Sequence, residues 1–61
     1  MPNLFIEMLE GRTNEQKQQL AEGITEVMVK VLKIDPETVS IRFLNVKRED
    51  WARGGKLFIH R

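Results

Sequence analysis

The chain has 61 residues, with 10 Lys and Arg against 9 Asp and Glu, a formal net charge of +1, 41% hydrophobic residues and no cysteine. This is the composition of a folded globular chain. It excludes a disulfide framework, offers no apolar run near the roughly 20 residues of a membrane span, and lacks the basic stripe that holds a nucleic-acid backbone.

One domain, residues 1–61, accounts for the length, and a domain this small buries only about 60% of the surface that its unfolded chain exposes. Disulfides are ruled out, and His60, next to the C-terminus, is the only histidine available to a metal. Association with further copies is therefore the expected source of stability. No basic segment leads an apolar stretch into a cleavage site, so a cytoplasmic location is expected.

The chain opens on Met1-Pro2. Removal of Met1 leaves Pro2 with a free secondary amine, whereas with Met1 in place that nitrogen is an amide without a basic lone pair. An ordinary α-amino group titrates at about 7.7 to 8.0. Apolar burial and a nearby guanidinium both disfavour its charged form, which suits it to proton transfer near neutrality. Met-Pro also begins many chains that have no such role, so the rest of the sequence must decide.

Asn3 to Leu9 alternates as a strand, with Leu4, Ile6 and Met8 on one face and Asn3, Phe5 and Glu7 on the other. Glu10, Gly11 and Arg12 break the alternation. Thr13 and Gln16 have capping-box spacing and predict a helix start. Leu20, Ile24, Val27, Met28 and Val31 then recur at helical spacing as one broad stripe facing a core, with Ala21 and Leu32 at its margin and Val29 outside it. Glu26 and Lys30 form an (i, i+4) pair. The helix is expected to end near Lys33, ahead of Pro36.

Thr38 to Val46 is the second predicted strand, with Val39, Ile41 and Phe43 on one face and Ser40, Arg42 and Leu44 on the other. Strand, helix, strand predicts an α+β protomer in which two parallel strands are covered on one face by one long helix. The face carrying Asn3, Phe5, Glu7, Ser40, Arg42 and Leu44 is left open and suits a subunit interface with a site in it. Lys47 to Asp50 reads as a charged linker. Gly54-Gly55 turns the chain into an extended segment, Lys56 to Ile59, that makes a hairpin or clasps a neighbour.

Proline after the initiator, a strand, LEGRTNEQK running into a helix, a second strand, and Trp51 shortly before GG together resemble the 4-oxalocrotonate tautomerase family. The match runs without gaps from Pro2 to Gly55, and LEGRT followed by EQK is its most specific stretch. The resemblance implies a βαβ protomer assembled as a hexamer, a trimer of dimers, that acts on a small carboxylate without metal, nucleotide or organic cofactor. It implies Pro2 as catalytic base, Arg12 as the ligand of a substrate carboxylate and Trp51 as a pocket wall.

Two departures from the family pattern stand out. A second family arginine, supplied by a neighbouring subunit, corresponds here to Ser40. Arg42, two residues on and on the same strand face, and Arg53, after Trp51, are the substitutes the sequence offers; an interface ion pair with Glu7 is the alternative role for Arg42. In addition, relatives that hydrate or dehalogenate haloacrylates carry an acid near the position of Arg53, which is basic here. The expectation is enol to keto tautomerisation of a 2-hydroxy-dienoate or 2-oxo acid such as 2-hydroxymuconate. The competing reading is a non-catalytic oligomer that binds a carboxylate on the same fold. A nucleic-acid module fails on charge and on the lack of an aromatic strand platform.

Overall fold

The computed structural model describes residues 1–61. Strand β1 (Asn3–Leu9) leads to helix α1 (Asn14–Leu32), and strand β2 (Ser40–Val46) returns parallel to β1. The pairing is in register from Asn3 opposite Ser40 to Leu9 opposite Val46. A short antiparallel pair, β3 (Ala52–Arg53) and β4 (Lys56–Leu57), forms the tail. This is the expected α+β protomer with a C-terminal hairpin. No helix is long and apolar enough to cross a membrane.

Local chemistry sets the boundaries. The Gln16 N–H donates to Thr13 Oγ1 at 3.1 Å and the Thr13 N–H donates to Gln16 Oε1 at 3.0 Å, so the capping box is complete. At the other end Lys33 adopts a left-handed conformation (φ 55°) and its N–H donates to the Val29 carbonyl at 2.8 Å, closing the helix. The second strand starts at Ser40 and not at Thr38. Asp35 caps a 3-10 turn over Pro36–Thr38, with its Oδ1 accepting from the Glu37 N–H at 3.0 Å, and this turn takes up the residues ahead of the strand.

Gly54 (φ 59°) and Gly55 (φ 79°) supply the two left-handed residues of a tight hairpin. The extended tail is shorter than the sequence suggests, since Phe58–His60 forms another 3-10 turn.

Helix α1 divides its apolar stripe. Ala21, Ile24 and Met28 are half-buried with Leu4, Ile6, Met8, Ile41 and Phe43 on the covered face of the sheet. Leu20, Val27 and Val31, expected in the same core, stay open, at 60% exposure for Val27 and 69% for Val31. Val29, expected outside, is half-buried. Glu26 and Lys30 do not form an ion pair; the protomer's one bridge joins Lys47 and Glu49 at 3.9 Å.

The protomer has almost no interior of its own. None of its residues is fully buried, and its surface of 5020 Å² exceeds the roughly 4,100 Å² of a compact 7.2 kDa monomer. Its radius of gyration is 14.8 Å, against about 10 to 11 Å for a compact chain of this length. A slab of 44 × 22 × 14 Å with a free edge on each strand of its main sheet has the shape of a component and not of a finished domain.

Candidate active site

Pro2 lies just before β1, half-buried, with its carbonyl accepting from the Ser40 N–H at 3.0 Å. This bond fixes the start of β1 against the start of β2. Met1 beyond it is 87% exposed.

Arg12 lies past the far end of the same strand. The Glu10 N–H donates to the Val46 carbonyl at 2.9 Å, extending the ladder by a rung. Gly11 then turns the chain at φ 120°, where a side chain would be strained, and Arg12 stands directly ahead of the Thr13 cap. Six residue steps separate Asn3 from Leu9, about 20 Å at roughly 3.3 Å per residue. Pro2 and Arg12 of one chain are therefore at opposite ends of β1, too far apart to touch one small substrate.

Around Arg12 two depressions meet. One is an apolar groove of about 680 Å³ between α1 and the β1 side, lined by Met8, Leu20, Gly23, Ile24 and Val27. The other is a polar cleft of about 380 Å³ formed by the Met8–Arg12 turn and Arg48. Gly23 faces open space in the protomer, where a Cβ would meet nothing within 4 Å.

Trp51 and Arg53 belong to a third cluster at the tail. Trp51 is half-buried, and its ring meets Phe58 edge to face, with centroids 5.8 Å apart at 85°. The Arg53 guanidinium lies 5.3 Å from the centre of the Phe58 ring, and Arg61 stands at the same distance. Arg42 is opposite Phe5 on the open sheet face, where Phe5 is 65% exposed, and makes no ion pair with Glu7 in the protomer.

One protomer thus keeps Pro2 and Arg12 apart, at opposite ends of β1. The sequence places Phe58 only in the extended segment Lys56 to Ile59 and Arg48 only in a charged linker, and singles out neither. The parallel register was the available signal for Arg48: with Val46 opposite Leu9, the residues that follow on both strands must share one end of the sheet.

The same fold occurs in known proteins. Residues 2–61 match the family model described as tautomerase enzyme. The chain belongs to the tautomerase family. It is 34% identical to the 2-hydroxymuconate tautomerase of Bacillus subtilis over 56 residues, covering 92% of this chain and 90% of that one. Among solved structures it resembles a 4-oxalocrotonate tautomerase homologue with a TM-score of 0.93 and 36% identity, covering 100% of this chain and 97% of the other. It also resembles a heterohexameric 4-oxalocrotonate tautomerase from Chloroflexus aurantiacus, with a TM-score of 0.86 and 30% identity, covering 97% of this chain and 95% of that one. This tautomerase is accordingly an isomerase of the 4-oxalocrotonate tautomerase type.

Proposed function

We propose that the protein interconverts enol and keto forms of a small 2-hydroxy-dienoate or 2-oxo acid, of the 2-hydroxymuconate kind, in a site assembled from several chains. The single observation that carries this reading is the separation of Pro2 from Arg12 along a strand with a free edge. When two β1 strands pair antiparallel about a two-fold axis, each chain's start lies against its partner's end. Pro2 of one chain then faces Arg12 of the other, and α1 packs along the partner's α1 over the apolar groove. Gly23, a residue that weakens a helix interior by about 1 kcal/mol relative to Ala, permits that close approach. Further association of such dimers through the open face, with Phe5 and Leu44 at its centre, gives the hexamer.

Within such a site, cleavage of Met1 exposes the Pro2 secondary amine as general base. Its lone pair takes the proton of the enol hydroxyl, the oxygen becomes a carbonyl, and the same proton is delivered to a carbon of the diene. Arg12 of another chain grips a carboxylate through its fork of donors. Trp51 walls the pocket and lowers the local dielectric around the amine. A cation from a further chain stabilises charge developing on the oxygen. Arg42 is the first choice for this role because its guanidinium stacks on no ring, whereas Arg53 lies against Phe58.

An intact mass of purified protein, with a spectrophotometric ketonisation assay of 2-hydroxymuconate and phenylenolpyruvate on the same sample, tests the reading. The expected result is a mass short by one methionine, turnover in that sample, and loss of most turnover in Pro2→Ala. Full turnover in Pro2→Ala contradicts the mechanism. Tight carboxylate binding by processed protein that has no turnover would favour the non-catalytic alternative.

A further inference from the structure

Arg48 is the cation that shares a cleft with Arg12. Both line the cleft at the end of β1, together with Glu10 and Gly11. The backbone holds Arg48 there independently of its side chain: its N–H donates to Glu10 Oε2 at 3.4 Å, and the Glu10 N–H in turn donates to the Val46 carbonyl at 2.9 Å. Two guanidiniums against one carboxylate leave the cleft with a surplus positive charge. Glu10 is partly occupied by the Arg48 backbone, while the only side-chain ion pair of the protomer lies elsewhere, between Lys47 and Glu49.

We infer that Arg48 is a second substrate-binding cation, which closes with Arg12 on the same carboxylate at the end of the site away from the Pro2 amine. The inference rests on the proposed carboxylate role of Arg12. It places the second positive charge at the binding end of the substrate and not beside the reacting oxygen, so Arg48 governs affinity for anionic substrates without acting on the chemical step. A charge-assisted pair to a carboxylate, once removed, costs about tenfold to a hundredfold in affinity.

The test is calorimetric titration with trans,trans-muconate, a dienoate dicarboxylate that has no enol to ketonise, on wild type, Arg12→Gln, Arg48→Gln, the double variant and Pro2→Ala. Arg48→Gln keeps the backbone bond to Glu10. It is expected to weaken muconate at least tenfold and to raise KM for 2-hydroxymuconate by a similar factor with kcat unchanged. The double variant is expected to lose less than the product of the two single losses, because one carboxylate is shared.

Unchanged affinity in Arg48→Gln alongside a large loss in Arg12→Gln overturns this inference alone. Unchanged affinity in both variants, or no muconate binding by wild type, overturns it together with the carboxylate role of Arg12. A fall in kcat at constant KM also overturns it, since that would place Arg48 at the reacting end. Pro2→Ala, expected to bind muconate as wild type does, keeps a failure of catalysis apart from a failure of binding.

Discussion

Two inactive variants of this protein should make an active one when mixed. Pro2→Ala removes the proposed base and keeps an N-terminal residue small enough for processing; loss of a positioned general base costs about a hundredfold to ten-thousandfold. Arg12→Gln removes the proposed bidentate carboxylate ligand, worth about 3 kcal/mol or more than a hundredfold in kcat/KM. Because β1, about 20 Å long from Asn3 to Leu9, separates Pro2 from Arg12, each site of the proposed two-fold pair would draw them from different chains.

Random pairing of equal amounts makes half the pairs mixed. In a mixed pair, one site has both defects and the other has neither. About a quarter of all sites are then intact, and turnover should return to roughly a quarter of the wild-type value. The assay is ketonisation of 2-hydroxymuconate after the variants are unfolded and refolded together, with native mass spectrometry to verify mixed oligomers. Activity that stays at the mean of the two variants, in a sample shown to contain mixed oligomers, would refute the shared site.

Other perturbations probe the surfaces left open. Val27→Asp puts a carboxylate on a groove position that is 60% exposed in the protomer. If that position is covered, each chain loses about 1 to 2 kcal/mol of apolar burial and gains an unpaired buried charge, so sedimentation at micromolar concentration should find monomers without a cooperative melt. A wild-type sedimentation profile would remove the groove from the interface. Gly23→Ala fits the protomer and adds about 1 kcal/mol of helix propensity, yet it should weaken association because its methyl meets the partner helix; tighter assembly would contradict this. Arg42→Gln should lower kcat with little effect on KM. Arg53→Gln should lower the melting temperature through loss of about 0.5 to 1 kcal/mol of stacking on Phe58 and leave kcat near wild type.

The elements that depend on contacts a few residues apart were legible in the sequence. Thr13 and Gln16 determine the helix start whatever lies around them, and the Gly54-Gly55 pair determines the hairpin. Alternation in Asn3–Leu9 likewise placed Leu4, Ile6 and Met8 on the covered face. The helical stripe was read less well for a physical reason. Periodicity shows that Leu20, Ile24, Val27, Met28 and Val31 avoid water, but it does not distinguish the chain's own sheet from another chain. The structure makes that division: Ile24 and Met28 face the sheet, and the others stay open. The early residues of the second strand were misread because an Asx-capped turn around Pro36 competes with extension of the strand through Thr38.

The same division explains the site. Pro2 at one end of β1 and Arg12 beyond the other end are neighbours in sequence logic and strangers in a single fold. Only an operation that reverses the strand brings them together, and a two-fold axis beside an unpaired β1 edge is the simplest such operation. Stability and catalysis then make the same demand. The chain that has no buried residue alone also keeps Pro2 and Arg12 apart alone, so under the proposed pairing covering Val27 and uniting Pro2 with Arg12 become one event. It follows that a substitution in the groove should change activity in proportion to the oligomer that remains, even though it touches no substrate. A change in the Arg12–Arg48 cleft should instead change substrate affinity and leave assembly as it was.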